Sequence, residues 1–129
     1  MTNQFDFILI DDSAFDLFIY EKLILKSGIG NSVKPFNAAQ DALDFLVGEG
    51  DNLPETVILL DLQMPGMNGF EFIDQFDLLP ESLKNKIRIY MLSSTIDTRD
   101  IEKAKASIHI IDLLSKPLEI GLLKSILQE

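Results

Sequence analysis

Short apolar runs alternate along this chain with stretches of helical period, and that alternation leaves few folds open. Phe7-Ile8-Leu9-Ile10 and Val57-Ile58-Leu59-Leu60 are too short for buried helices and are apolar throughout, as strands covered on both faces are. Repetition of such runs between helical segments is the pattern of βα units, a parallel sheet with helices on both sides. Strands are predicted near 5–10, 32–36, 56–60, 87–92 and 109–114, and helices near 14–27, 38–47, 69–79, 98–107 and 118–128. The punctuation agrees: Gly28 and Gly30 suit the close of the first helix, Pro54 precedes the third strand, and Asp97 with Asp100 resembles a capping box for the fourth helix.

In an open parallel α/β sheet the carboxyl ends of neighbouring strands converge on one crevice. Asp11 and Asp12 directly follow the first apolar run, Asp61 follows the third, and Lys116 comes shortly after the fifth. Carboxylates gathered within about 5 Å repel by roughly 3 kcal/mol per pair at an effective dielectric near 20, a cost that a bound cation removes. Hard oxygen donors without His or Cys favour Mg2+, which takes one or two carboxylates together with waters and phosphate oxygens. The crevice reads as a place for metal-assisted phosphoryl chemistry.

The 129 residues are expected to form one domain. A formal charge of -10, from 11 Lys+Arg against 21 Asp+Glu, argues against nucleic acid and anionic membrane and leaves proteins as partners. Without cysteine there is no disulfide or thiol chemistry. Met1-Thr2-Asn3-Gln4-Phe5-Asp6 lacks a basic leader and the apolar run after it is too short to span a bilayer, so a cytoplasmic protein is expected. His109 has no second His or Cys beside it in sequence and reads as structural, and neither Ser93 nor Ser94 has a triad partner.

Four segments in order carry a resemblance: Ile10-Asp11-Asp12-Ser13, then Asp61-Leu62-Gln63-Met64-Pro65-Gly66-Met67-Asn68-Gly69-Phe70-Glu71, then Met91-Leu92-Ser93-Ser94, then Ser115-Lys116-Pro117. Over essentially its whole length, 1–129, the chain resembles a response-regulator receiver domain of two-component signalling. The resemblance implies a flavodoxin-like (βα)5 fold, a doubly wound parallel five-stranded sheet in the order 2-1-3-4-5. It implies that Asp61 accepts a phosphoryl group, that Asp12 binds Mg2+ directly and Asp11 largely through water, and that the main-chain carbonyl of Gln63 completes the metal's protein ligands. Lys116 then matches the cation that contacts the phosphoryl group, in a Lys116–Pro117 bond expected to be cis, and Ser93 the switch hydroxyl. The implied partners are a sensor histidine kinase or histidine phosphotransfer protein as donor and a protein target downstream. The domain would catalyse its own modification and autodephosphorylation and would otherwise be no enzyme. Gln63 and Thr95 match positions flanking the approach of hydrolytic water. Leu113 departs from the family, which carries an aromatic there; transmission through the 93–97 loop and the following helix is expected instead.

Plainer and rival readings stand beside these. Asp11 and Asp12 also suit helix capping, Met64 to Gly69 a turn, and Lys116-Pro117 a surface Lys before a helix-starting Pro. In the first helix Phe15, Phe18, Ile19 and Leu23 are expected to face the sheet, with Leu17, Tyr20 and Ile24 round the side, either against the last helix or as a docking patch for a helical partner. Within the family the rival is a phosphorelay shuttle. Outside it are a small aspartyl-phosphate phosphatase, which would want an Asp where Gln63 stands, and a flavin carrier, whose phosphate Asp11 and Asp12 would repel.

Overall fold

The computed structural model describes residues 4–128; Met1–Asn3, within the segment read as lacking a leader, and Glu129 lie outside the described residues. The chain runs β1 (Phe5–Ile10), α1 (Ala14–Ser27), β2 (Gly30–Phe36), α2 (Ala39–Glu49), a 3-10 turn (Gly50–Asn52), β3 (Thr56–Asp61), α3 (Gly69–Phe76), α4 (Glu81–Lys84), β4 (Ile87–Ser93), α5 (Thr98–Ala106), β5 (Ile110–Ser115) and α6 (Ile120–Leu127). The strands form one sheet in the order β2-β1-β3-β4-β5, every neighbouring pair parallel, as the flavodoxin-like reading requires.

Alternate strand residues feed two cores because successive side chains leave a strand on opposite faces. Ile8, Ile10, Ile58, Leu60, Ile89 and Met91 pack with α2, α3 and Ala104 of α5. Phe7, Leu9, Val57, Leu59, Tyr90 and Leu92 pack under Leu17, Tyr20 and Ile24 of α1 and Leu123 and Leu127 of α6. Each fully buried Phe, Ile or Leu contributes about 1.5–3 kcal/mol, so the sheet's position between the helices is strongly held.

The register of that sheet sets the crevice. Ile10 pairs with Leu60, Asp61 with Leu92, and Ser93 with Ser115, so the carboxyl ends of β1, β3, β4 and β5 stop almost level.

Several elements differ from the sequence reading. In α1 the buried residues are Leu17, Tyr20 and Ile24, whereas Phe15 and Phe18 are exposed and Ile19 and Leu23 half-buried, which turns the expected faces round. Apolar side chains on nearly every face leave periodicity without a direction. The rotation is set by the start of the helix, where Ser13 Oγ accepts from the Asp16 N–H (3.2 Å), and by Ile24, whose methyl lies 2.5 Å from where a Cβ on Gly30 would stand. Gly28, at φ +85°, closes α1 as expected; Gly30 instead opens β2, two residues earlier than predicted. α3 ends at Phe76, short of the predicted 79, and Pro80, which has no N–H to continue a helix, starts the one-turn α4. α6 starts at Ile120 rather than 118, after a Lys116–Pro117 peptide bond that is cis.

Asp97 accepts from the Asp100 N–H (3.0 Å) and caps α5 from one side. A reciprocal capping box occurs at α3, where Asn68 and Glu71 exchange 2.9 Å bonds. His109 precedes β5, its Nε2 2.7 Å from Asp77 Oδ1 and its ring edge-on to Phe76, a structural placement.

Candidate functional site

Asp11 and Asp61 are buried at the ends of β1 and β3, and Asp12 beside them is exposed. One carboxylate oxygen from each of the three lies within 4.8 Å of the others. Lys116, carried just past β5, enters this group: its Nζ is 2.8 Å from Asp11 Oδ2 and 3.4 Å from Asp61 Oδ1. The Lys116 main-chain N–H also donates to the Ser93 carbonyl (2.9 Å), extending the β4–β5 pairing to the crevice.

The bond from the Ser13 N–H to Asp11 Oδ1 (2.9 Å) is the local turn-forming contact expected of an acid before a helix. It occupies one oxygen only. The other faces Lys116, so capping and a place in the charged group belong to the same residue.

Charge balance in this group is uneven. Burial, and then the negative charge of Asp11, push the Asp61 carboxyl up to about 6, although Lys116 and the Gln63 N–H pull the other way. Burial opposes the charge on Lys116, but hydrogen bonds to Asp11 and Asp16 more than compensate and raise its pKa, so the ammonium stays charged. Oxygen donors, incomplete neutralisation by one lysine and an open edge at Asp12 suit a hard divalent cation. Asp11, Asp12 and Asp61 are the residues that could hold it.

The loop after β3 turns back closely on the end of that strand. Gly66 adopts φ +77°, which favours glycine, and a Cβ on Gly69 would come to 3.0 Å from the Asp61 carbonyl oxygen and from Met91, so the returning chain passes where a side chain would crowd the end of β3. Gln63 donates its N–H toward Asp61 Oδ1 (3.4 Å). Its side chain crosses to β4, with Oε1 2.9 Å from Ser93 Oγ and Nε2 donating to the Thr95 carbonyl (3.3 Å). Ser93 is fully buried and its Oγ is 2.7 Å from that same carbonyl.

The structure thus brings Asp11, Asp12, Asp61, Lys116 and Ser93 to one end of the sheet, with Gln63 between Asp61 and Ser93. Sequence reasoning missed Asp16, whose Oδ2 is 3.1 Å from Lys116 Nζ. A first-turn acid just after Asp11-Asp12 was the available signal, since Ser13 as the cap turns that residue back toward the strand ends. It also missed that the Gln63 amide reaches Ser93, which a main-chain role for residue 63 gives no reason to expect.

A 2-1-3-4-5 parallel sheet with acids at the ends of β1 and β3, a lysine after β5 and a buried hydroxyl closing β4 defines a flavodoxin-like signalling domain with an acidic crevice. The chain belongs to the response regulator receiver domain family, whose pattern residues 7–128 match. It is similar to the crystal structure of a response regulator receiver protein from Dyadobacter fermentans DSM 18053, at 57% identity and a TM-score of 0.90, covering 95% of this chain and 94% of that one. Among curated proteins it is 32% identical over 122 residues to the two-component response regulator ARR14 of Arabidopsis thaliana, covering 94% of this chain and 29% of that protein. It is 35% identical over 94 residues to a protein-glutamate methylesterase/protein-glutamine glutaminase of Treponema pallidum (strain Nichols), covering 72% of this chain and 21% of that protein. The chain therefore spans less than a third of the length of these two curated relatives. Receiver domains serve two-component signalling rather than acting as ordinary enzymes, and phosphorylation on aspartate is general to the family. No helix among the described residues is long and apolar enough to cross a membrane.

Proposed function

We propose that the chain is a single receiver domain that takes a phosphoryl group from a phosphohistidine onto Asp61 and passes its change of state to a protein target. The donor is a sensor histidine kinase or a histidine phosphotransfer protein. An Asp61 carboxylate oxygen attacks phosphorus in line, the new P–O bond forms as the P–N bond breaks, and the electron pair leaves with the histidine nitrogen. The observation that carries this reading is the 3.4 Å approach of Lys116 Nζ to Asp61 Oδ1 inside a group of acids.

Asp11, Asp12 and Asp61, with the main-chain carbonyl of Gln63, would hold Mg2+, which when bound neutralises charge on the acceptor and the phosphoryl oxygens. The chain's own groups do the rest. Lys116 holds a positive charge against the acceptor, ready for an equatorial phosphoryl oxygen, and the fully buried Ser93 hydroxyl donates to another once Asp61 is modified. Autodephosphorylation reverses the modification with water, whose approach Gln63 and Thr95 flank.

Incubation with a phosphorylated kinase in Mg2+ tests the assignment. Base-labile labelling is expected in the parent and lost in Asp61→Asn; labelling that survived the substitution would place the acceptor elsewhere.

A further inference from the structure

Asp16 has no part in the chemistry proposed above, yet it pairs with the lysine at its centre. Of the acids on Lys116 Nζ, Asp11 (2.8 Å) and Asp61 (3.4 Å) belong to the group able to hold a cation, while Asp16 (3.1 Å) does not. Its side chain is 29% exposed and its N–H is fixed by Ser13 Oγ, so it sits at the rim of the crevice on a capped helix. The rest of α1 is tied to the same part of the chain: Tyr20 shares a buried cluster with Leu118, and Lys124 Nζ donates to the Ser27 carbonyl (3.2 Å). Asp16 is the tie nearest the site.

Resting on the reading of Asp11, Asp12 and Asp61 as the cation group, we propose that Asp16 is the positioning residue of Lys116, the counter-charge that holds its ammonium at the crevice once a divalent cation engages Asp11 and Asp61. A carboxylate shared with a doubly charged ion loses most of its net attraction for a neighbouring ammonium. Both Asp11 and Asp61 are shared in this way, and Asp16 is not. Lysine's charge rides on a flexible four-carbon stem and is strongly hydrated, so without a remaining partner it swings toward solvent. Asp16 keeps it where a phosphoryl oxygen arrives. The residue acts through Lys116 and does not touch the phosphoryl group.

The test is NMR of the Lys116 ammonium, whose nitrogen signal is observable when hydrogen bonding slows its proton exchange, with Lys116→Arg to assign it. The parent, Asp16→Asn and Asp16→Ala are compared with and without Mg2+. Without Mg2+ all three are expected to show the signal, since Asp11 suffices, which also shows that the variants fold. In saturating Mg2+ the parent keeps it and both variants lose it, and labelling of the variants from acetyl phosphate slows by about tenfold. A Lys116 signal that persists in Mg2+-loaded Asp16→Asn, with the Asp61 amide shifted by Mg2+ as in the parent, overturns the inference and leaves the cation reading standing. An Asp61 amide that Mg2+ does not shift in the parent overturns the cation reading and the inference with it.

Discussion

The Ser93 hydroxyl lies 2.9 Å from Oε1 of Gln63, so the side chain two positions past Asp61 already occupies the group expected to follow the state of Asp61. The Thr95 carbonyl closes the arrangement, 2.7 Å from Ser93 Oγ and 3.3 Å from Gln63 Nε2. For Ser93 to turn to a phosphoryl oxygen it must give up this bonding, at a net cost of about 1 kcal/mol for one hydrogen bond. Gln63→Ala removes one of the two acceptors and leaves the Thr95 carbonyl, so it is expected to bind beryllofluoride, a phosphoryl mimic, more tightly in Mg2+ but by less than about fivefold, the value of one whole hydrogen bond. An NMR titration reads the affinity; an unchanged or weaker value would separate Gln63 from the switch.

Asp61 gives a pH signature. Burial and the charge of Asp11 raise its carboxyl from 3.8 to about 6 in the folded chain. Between those values the folded chain holds a proton that the unfolded chain has released, so stability falls as pH rises through the window and the penalty is complete above it. In chelator, Asp61→Asn is expected to be more stable than the parent by about 2–3 kcal/mol near pH 7.5, with the difference vanishing near pH 4. Urea unfolding at both pH values checks this. A difference independent of pH would remove Asp61 ionisation as its source.

Cation binding relieves the same repulsion. Mg2+ is expected to raise the parent's melting temperature by mass action, worth about 2.7 kcal/mol at a hundredfold excess over Kd, and Asp12→Ala to erase most of that gain. Calorimetry across a Mg2+ series measures it; equal gains in both proteins would put the cation at other residues.

Phe15 and Phe18, 72% and 58% exposed, make the outer face of α1 the candidate surface for the phosphoryl donor. The pair of substitutions Phe15→Ala and Phe18→Ala should leave stability within about 0.5 kcal/mol of the parent and leave labelling from acetyl phosphate intact. Transfer from the cognate phosphorylated kinase should slow by about tenfold or more, as loss of aromatic anchors does. Equal transfer rates from kinase to parent and variant would clear this face of the role.

Leu113 is half-buried and lines a cavity of ≈ 250 Å³ with Ile96, Ile101, Ala104 and Ile110. Having no polar tip, it gains nothing by leaving that contact for water. A phosphoryl mimic is expected to move the 93–97 loop and α5 while the Leu113 methyl resonances report an unchanged rotamer. Rotamer exchange at Leu113 beside an unmoved loop would reverse the proposed route.

What was legible in the sequence was whatever a parallel sheet fixes by itself. Buried strands are short and apolar, their ends align, and residues directly after them must meet, which is why Asp11, Asp61 and Lys116 arrive together although far apart in sequence. The rotation of α1 was illegible because apolar side chains occupy several of its faces, so Leu17 and Tyr20 could not be ranked above Phe15 and Phe18. The end of α3 at Phe76, short of the predicted 79, and the one-turn α4 after Pro80 were not legible because neither carries a pattern long enough to show a period. Asp16 and the Gln63 amide were missed for a different reason: their partners are set by side-chain reach across elements, which strand order does not determine.

The 2.9 Å bond from the Lys116 N–H to the Ser93 carbonyl has a mechanical meaning. The two residues proposed to contact a phosphoryl group are joined, main chain to main chain, by one hydrogen-bonded link at the lip of the sheet. While that link holds, neither backbone travels without the other, so both side chains must close on their target by torsion, like two fingers of a hand whose knuckles are fused. The first joint able to swing alone lies beyond Ser93, where the chain leaves the sheet, so the displacement is expected to reach α5 rather than return through β5.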